Sequence, residues 1–223
     1  MTTFYKTKHA GAKILIAFLT VCVSVLCMVG LVGCSGPTPT ETTQQFLDGI
    51  KANDTESIQK VYAGDPNTVL TITPEDAESE GSDGVVVGEI QDTINNDLVP
   101  KLREFDYEIT NEQIDGDTAT VDVKITTYTV GDAFNTFITD YMSQGFTLAL
   151  SGASEDDLSE LASSIFSTKI NSMEKSYTDT VTVSLSKVDG NWKVDDSKSN
   201  AELTDALLGG LYTTIESLDG LYE

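Results

Sequence analysis

One thiol in this chain lies outside apolar surroundings. Cys34 follows Leu31-Val32-Gly33 and precedes Ser35-Gly36, so its sulfur is flanked by small residues and open to covalent modification. Cys22 and Cys27 instead lie in the uncharged apolar run from Ile14 to Met28, and the sole histidine, His9, comes before that run. Beyond Gly33, therefore, no histidine and no second thiol remain. This excludes Ser-His-Asp and Cys-His catalysis, histidine or thiolate zinc sites and iron–sulfur ligation for that part of the chain. Carboxylates and phenols are left. Tyr107, Tyr128, Asp122 and Asp179 could in principle support proton transfer without histidine, although alternation places Asp122 opposite the apolar positions of its strand, towards solvent. Oxygen-ligated Ca²⁺ is the other option, yet Asp115–Asp122 and Asp195–Glu202 lack the ligand and glycine spacing of an EF-hand loop. No catalytic group, metal site or cofactor is expected; the chemistry the residues point to is modification of Cys34.

The context of Cys34 supports that reading. Lys6, Lys8 and Lys13 supply a basic start, the apolar run follows, and Gly30 and Gly33 supply small residues before the cysteine. This is the three-part pattern of a secretory signal. An uncleaved membrane helix is the rival, because 14–33 is about the twenty residues that a bilayer requires. Leu31-Val32-Gly33-Cys34 resembles the lipobox of bacterial lipoproteins, which weighs against the rival. The resemblance implies cleavage between Gly33 and Cys34 and a diacylglyceryl group on the Cys34 sulfur. It also implies lipid anchoring at the extracytoplasmic face of the cell membrane. One acyl chain gives only marginal, reversible membrane binding, whereas two give stable anchoring.

The expected organisation is a signal peptide at 1–33, a lipidated cysteine with a short tether at 34–37, and one domain at 38–223. Residues beyond Gly33 carry 36 acidic side chains against ten basic ones, a formal charge of −26, and Arg103 is the only arginine. With no basic patch to neutralise phosphates, nucleic acid is not an expected partner. A solvated, aggregation-resistant surface accounts for the acidity. With Ser35–Pro37 as the whole tether, the domain stays within ~10–20 Å of the lipid.

Helix signals begin at once. Thr38-Pro39-Thr40-Glu41 reads as an N-cap, a proline in the first turn and a capping-box glutamate. Phe46, Leu47, Ile50, Ile58, Val61 and Tyr62 recur at helical spacing with a break near Ala52-Asn53-Asp54. Residues 63–84 read as a mobile acidic loop with one helical turn after Thr73. A second helix over 88–104 places Ile90, Ile94, Leu98 and Leu102 on one face, with Pro100 forcing a kink or an early stop. The period then changes to two. Phe105, Tyr107 and Ile109, an Asp115-Gly116 turn, and Ala119, Val121, Val123 and Ile125 make one hairpin. Val181, Val183 and Leu185, Asp189-Gly190, Trp192 and Val194 make another.

Between the hairpins, Phe134, Phe137, Ile138, Tyr141 and Met142 form a helical stripe running on to Phe146 and Leu150. After Gly152-Ala153, Ser154-Glu155-Asp156-Asp157 caps a second helix whose stripe is Leu158, Leu161, Ile165 and Phe166. Core packing is the ordinary meaning of such stripes; a membrane-active or partner-binding hairpin is the alternative. A last helix is expected from a capping box at Ser199-Asn200-Ala201-Glu202, carrying Leu203, Leu207, Leu211, Ile215 and Leu218. Gly209-Gly210 inside it requires either a bend or close packing against its backbone. The fold class is α+β: a bent antiparallel sheet of about four strands from two Asp-Gly hairpins, packed with N-terminal helices, a helical-hairpin insertion and a C-terminal helix.

These residues resemble small Gram-positive lipoproteins with a nuclear-transport-factor-2-like, or cystatin-like, domain. The similarity rests on the lipobox, the 41–58 helix, the pieces at Ala133-Phe134, Gln144-Gly145-Phe146 and Leu150-Ser151-Gly152, and the strand pair 181–194. It implies a fold and a location and brings no catalytic residues. In that fold a tryptophan such as Trp192 fills the core, with lining of a ligand pocket as the other use. The functional expectation is a non-catalytic module binding a protein, peptide or envelope component. A small-molecule binder or Asp/Tyr-dependent enzyme using a cone-shaped pocket, and an accessory lipoprotein of a transporter or secretion system, are the alternatives. A pocket holding a buried carboxylate against a tyrosine favours the enzyme; a filled cone with an exposed apolar patch on 131–175 favours the others.

Overall fold

The computed structural model describes residues 36–70 and 90–219, without the side chain of residue 219. Gly33, Cys34 and the stretch after Thr73 lie outside them. The chain divides into two compact units, Met1–Gly36 and Pro37–Glu223, and the architecture below is that of the second.

Helix α1 is Pro39–Ala52. The expected capping box forms: the Glu41 amide donates to Thr38 Oγ1 at 3.1 Å and the Thr38 amide to Glu41 Oε2 at 2.9 Å. Asn53 ends the helix in the left-handed region, φ 54°, and its N–H returns to Gly49 and Ile50 carbonyls. Asp54 then caps α2, Thr55–Val61, so the break and the restart occupy two consecutive residues. Residues 90–93 are helical, Ile94–Leu98 is a π-helical turn, and α3 is Val99–Leu102. The π turn is how the helix accommodates Pro100. A proline offers no N–H to the preceding turn, and here the Val99 N–H bonds Ile94 O just before it. Leu98 and Leu102 stay buried together, with Ile90 and Ile94 beside them.

Strands β1 (Asp106–Asp115), β2 (Thr118–Thr127), β3 (Tyr177–Val188) and β4 (Asn191–Val194) form one open antiparallel sheet in sequence order. The α+β expectation with four strands is what the chain adopts. The turns differ in detail. Asp189 and Gly190 both have positive φ, 53° and 79°, as a type I′ turn requires. In the first hairpin β1 runs through Asp115, and the turn is Gly116-Asp117 with only Gly116 (φ 62°) positive, the pattern of type II′. The Asp-Gly reading there is corrected by one residue. A register shift between Ile109 and Asn111 also breaks the alternation of β1, leaving Ile114 exposed.

Between the hairpins lie α4 (Val130–Leu150) and α5 (Glu155–Ser172), the latter with the Ser154–Asp157 capping box formed. The final helix is two helices, α6 (Ala201–Leu207) and α7 (Leu211–Asp219). Gly209 and Gly210 both take positive φ, 62° and 76°, and both are closely packed: a Cβ on Gly209 would collide with the backbone at Tyr128 O, and one on Gly210 with the Tyr177 ring. Both meanings of that glycine pair therefore hold. The capping box at Ser199 does not form. Helix α6 starts after Asn200, whose amide is drawn into the sheet, accepting from Ser184 N at 2.7 Å and donating to Ser184 O and Asp195 O at 3.2 and 2.9 Å.

The core has two parts. One lies between the apolar sheet face and α1, α2 and α6, and includes Phe46, Val121, Val123, Ile125, Val183, Leu185 and Val194. Burying each such side chain contributes roughly 1.5–3 kcal/mol. The other joins Leu98 and Leu102 to Val130, Phe137, Ile165, Phe166, Ile170, Leu208 and Leu211. Leu70 touches both.

Candidate functional site

The space where a cone-shaped pocket would lie is occupied. Phe46 stacks on Tyr62 with ring centroids 4.8 Å apart. The cavity left among Phe46, Tyr62, Val194, Leu203 and Leu207 is about 10 Å³, no more than one water's probe sphere. Trp192 does not sit at the centre of this core. It is half-buried against the core's edge, with Lys187 Nζ 4.7 Å from its ring centroid.

Nor do the candidate proton-transfer residues meet. The Tyr107 hydroxyl donates to Asp48 Oδ1 on α1 at 2.7 Å. Partial burial, then the Asp48 hydrogen bond and charge, push that phenol well above its ordinary value. The Tyr128 hydroxyl donates to Glu104 Oε2 at 2.8 Å, which raises its pKa. Asp122 lies on the polar sheet face, as its alternation requires, accepting from Asn111 Nδ2 at 3.1 Å and Thr182 Oγ1 at 2.9 Å. Asp179 is exposed and accepts from the Thr180 amide. These are tyrosine–carboxylate pairs and threonine contacts at the surface, not a buried constellation. Among the described residues no group of three or more His, Cys, Asp or Glu is placed to hold a metal ion.

The unpartnered feature is the far end of the α4–α5 hairpin. Near its base the helices pack normally: Phe137 meets Phe166 edge-on at 5.4 Å, and Lys169 bridges Asp140 at 2.6 Å. Further along, Met142, Phe146 and Leu150 are 64%, 67% and 75% exposed. The expected single stripe is thus two. Residues four apart advance by about 40° beyond a full turn, so Met142, Phe146 and Leu150 wind away from the buried face, and Phe146 ends about 180° from Phe137. Positions 142, 146 and 150 recur strictly at four, but that spacing does not say which side of the helix finds a neighbour. Glu155, Asp156 and Asp157 stand exposed at the same end, where α5 begins. Core packing accounts for one half of the hairpin only.

No family model matches the sequence, and no curated protein matches it. Among solved structures, the chain is similar to the crystal structure of a "putative lipoprotein (ycdA)" from Bacillus subtilis, at 17% identity and a TM-score of 0.40. The alignment covers 87% of this chain and 55% of that protein, so the chain spans about half of its length.

No helix among the described residues is long and apolar enough to cross a membrane. The residues that pattern alone did not single out as a group are the exposed row on α4 and the surroundings of Arg103, the latter assembled from three stretches distant in sequence.

Proposed function

We propose that this protein is a lipid-anchored extracytoplasmic lipoprotein whose domain is a non-catalytic interaction module. Anchoring rests on the basic leader, the apolar run and Leu31-Val32-Gly33-Cys34. The helix pair packed on an antiparallel sheet supports reading the domain as nuclear-transport-factor-2-like. The observation that carries the interaction role is the exposed Met142–Phe146–Leu150 row on a hairpin whose other half is core, in a fold where Phe46, Tyr62, Leu203 and Leu207 fill the space against the sheet. Three solvated large apolar side chains in one row on a helix form the kind of exposed patch that marks an interaction site. The partner is a protein with an apolar notch rimmed by basic residues, because Glu155, Asp156 and Asp157 beside the row repel an anionic lipid surface and attract Lys and Arg. The filled interior favours this over an enzymatic use of a cone.

Two measurements test the reading. An amino-terminal Cys34 peptide should carry the mass of its acyl groups, and Cys34→Ala should abolish both that mass and cleavage after Gly33; a cleaved chain with an unmodified Cys34 would defeat the anchor. A photo-cross-linker at Met142 in the anchored chain should give one adduct of defined mass that Leu150→Glu abolishes, while a cross-linker at Lys124 on the polar sheet face gives none. The same adduct from both positions, or no adduct at 142, would defeat the docking row.

A further inference from the structure

A cleft of about 240 Å³ opens at the seam between the two parts of the core, between the α1–α2 junction, the turn at 66–70 and the π turn. Its floor is Ile50, Ile58, Val69 and Leu70 from the first side and Ile94 from the second. Its polar wall carries Arg103, the chain's only arginine, together with the side-chain amides of Asn53, Gln91 and Asn95. Arg103 is half-buried and forms none of the salt bridges among the described residues. Gln91 Nε2 donates to Asn95 Oδ1 at 3.2 Å, which links the two amides of that wall.

What the lining lacks narrows the ligand. Although the chain carries 36 acidic residues, no Asp or Glu among the described residues lines the cleft, so an ammonium group finds no counter-charge among them. Among the described residues no lysine accompanies Arg103, which leaves a phosphate dianion half-neutralised, and no aromatic ring lines the cleft to stack a base or a sugar. A guanidinium matches a planar carboxylate through two parallel N–H···O bonds, and the aliphatic floor matches a short alkyl chain. The volume lies below the ~300–1,000 Å³ of drug-sized sites. We propose that this cleft binds a small aliphatic monocarboxylate, with Arg103 holding the carboxylate and Ile50, Ile58, Val69 and Ile94 enclosing the chain.

The site is separate from the hairpin row, so the two stand or fall independently. The test is calorimetric titration of the full chain in lipid nanodiscs, against empty nanodiscs, with hexanoate, hexanol and hexylammonium as probes. Hexanoate should saturate at one site and bind at least tenfold more tightly than hexanol, with hexylammonium weakest. Arg103→Gln should reduce hexanoate to the level of hexanol, and Arg103→Lys should retain part of the difference because it keeps the charge and loses the fork. Gln91→Trp, which fills the cleft and leaves Arg103 in place, should abolish both; it decides the matter if Arg103→Gln lowers the thermal midpoint. Leu150→Glu should leave hexanoate binding unchanged. Non-saturating hexanoate heats, equal binding of hexanoate and hexanol, or wild-type affinity in a folded Arg103→Gln or Gln91→Trp chain would overturn the assignment.

Discussion

At the scale of single residues, stability in this fold turns on backbone crossings and on polar atoms sealed in the core. Gly131 and Gly209 meet where α4 starts and α6 ends, joined by the Gly131 N–H to Gly209 O at 3.0 Å. A methyl on Gly209 would meet Tyr128 O, and φ of 62° already disfavours an L side chain. Gly209→Ala is therefore expected to cost more than about 3 kcal/mol, combining the left-handed penalty with overpacking. Gly116 has the same φ with nothing within 4 Å of the site of its Cβ, so Gly116→Ala should cost only about 1–2 kcal/mol. Urea unfolding of both variants separates the two effects; equal losses would show that the crossing contributes nothing beyond backbone strain. The reverse case is Thr43, fully buried on α1 with a hydroxyl that has no hydrogen-bond partner. A buried unsatisfied group costs ~1–3 kcal/mol, and valine has similar shape and helix propensity. Thr43→Val should raise the denaturation midpoint, and a lowered midpoint would mean that the hydroxyl is satisfied by water.

At the scale of elements, local signals were legible and tertiary recruitment was not. Thr38-Pro39-Thr40-Glu41 and Ser154–Asp157 cap their helices as their sequences dictate, because every partner lies within three residues. Ser199–Glu202 has the same grammar and fails, since Ser184 in β3 takes up Asn200 and moves the helix start. Asn200 is 4% exposed, and its amide continues the sheet pairing beyond the end of β4 by serving both the N–H and the C=O of Ser184. Removing it leaves the Ser184 N–H without a partner, while Ser184 O still accepts from the Asp195 N–H at 3.0 Å. Asn200→Ala is expected to cost about 1–3 kcal/mol, measured by urea unfolding, whereas loss of an ordinary exposed N-cap costs about 1 kcal/mol. A loss below that figure would mean that water or Asp195 substitutes for the side chain. The α4 stripe failed to separate for a different reason. Hydrophobicity alone does not say which of two angular positions finds a neighbour, and only the packing of α5 against Phe137 and not against Phe146 divides them. The cleft beside Arg103 was beyond reach altogether, because its walls come from segments brought together only by the closed core.

At the scale of the whole molecule, two kinds of proton linkage set the pH range of stability. Asp54, Asp106, Asp157 and Asp196 are all held below the usual carboxylate value, each chiefly by a hydrogen bond to Ser57, Lys175, Ser154 and Ser199 respectively. A carboxyl depressed on folding contributes stability above its unfolded pKa and loses it as pH falls through the folded one, so acid weakens the caps of α2 and α5, the turn at Asp196 and the Lys175–Asp106 bridge. The phenols act in the opposite direction. Tyr62, Tyr107, Tyr128 and Tyr177 are all raised, by burial in three cases and by Glu104 in the fourth. A phenol raised on folding holds its proton more tightly in the native state. That contribution is complete below the unfolded value of about 10 and is lost as pH rises from there through the folded pKa. Ionising these rings also adds negative charge to a domain that already has 36 acids, and Tyr107 would then face the Asp48 carboxylate at hydrogen-bond distance. The denaturation midpoint should therefore be flat between about pH 7 and 9 and fall steeply above about pH 10. Tyr107→Phe should start lower, having lost the Asp48 bond, and fall less steeply, because the most strongly shifted phenol is gone. Parallel slopes in the two chains would assign the alkaline loss to general charge repulsion and remove Tyr107 from the account.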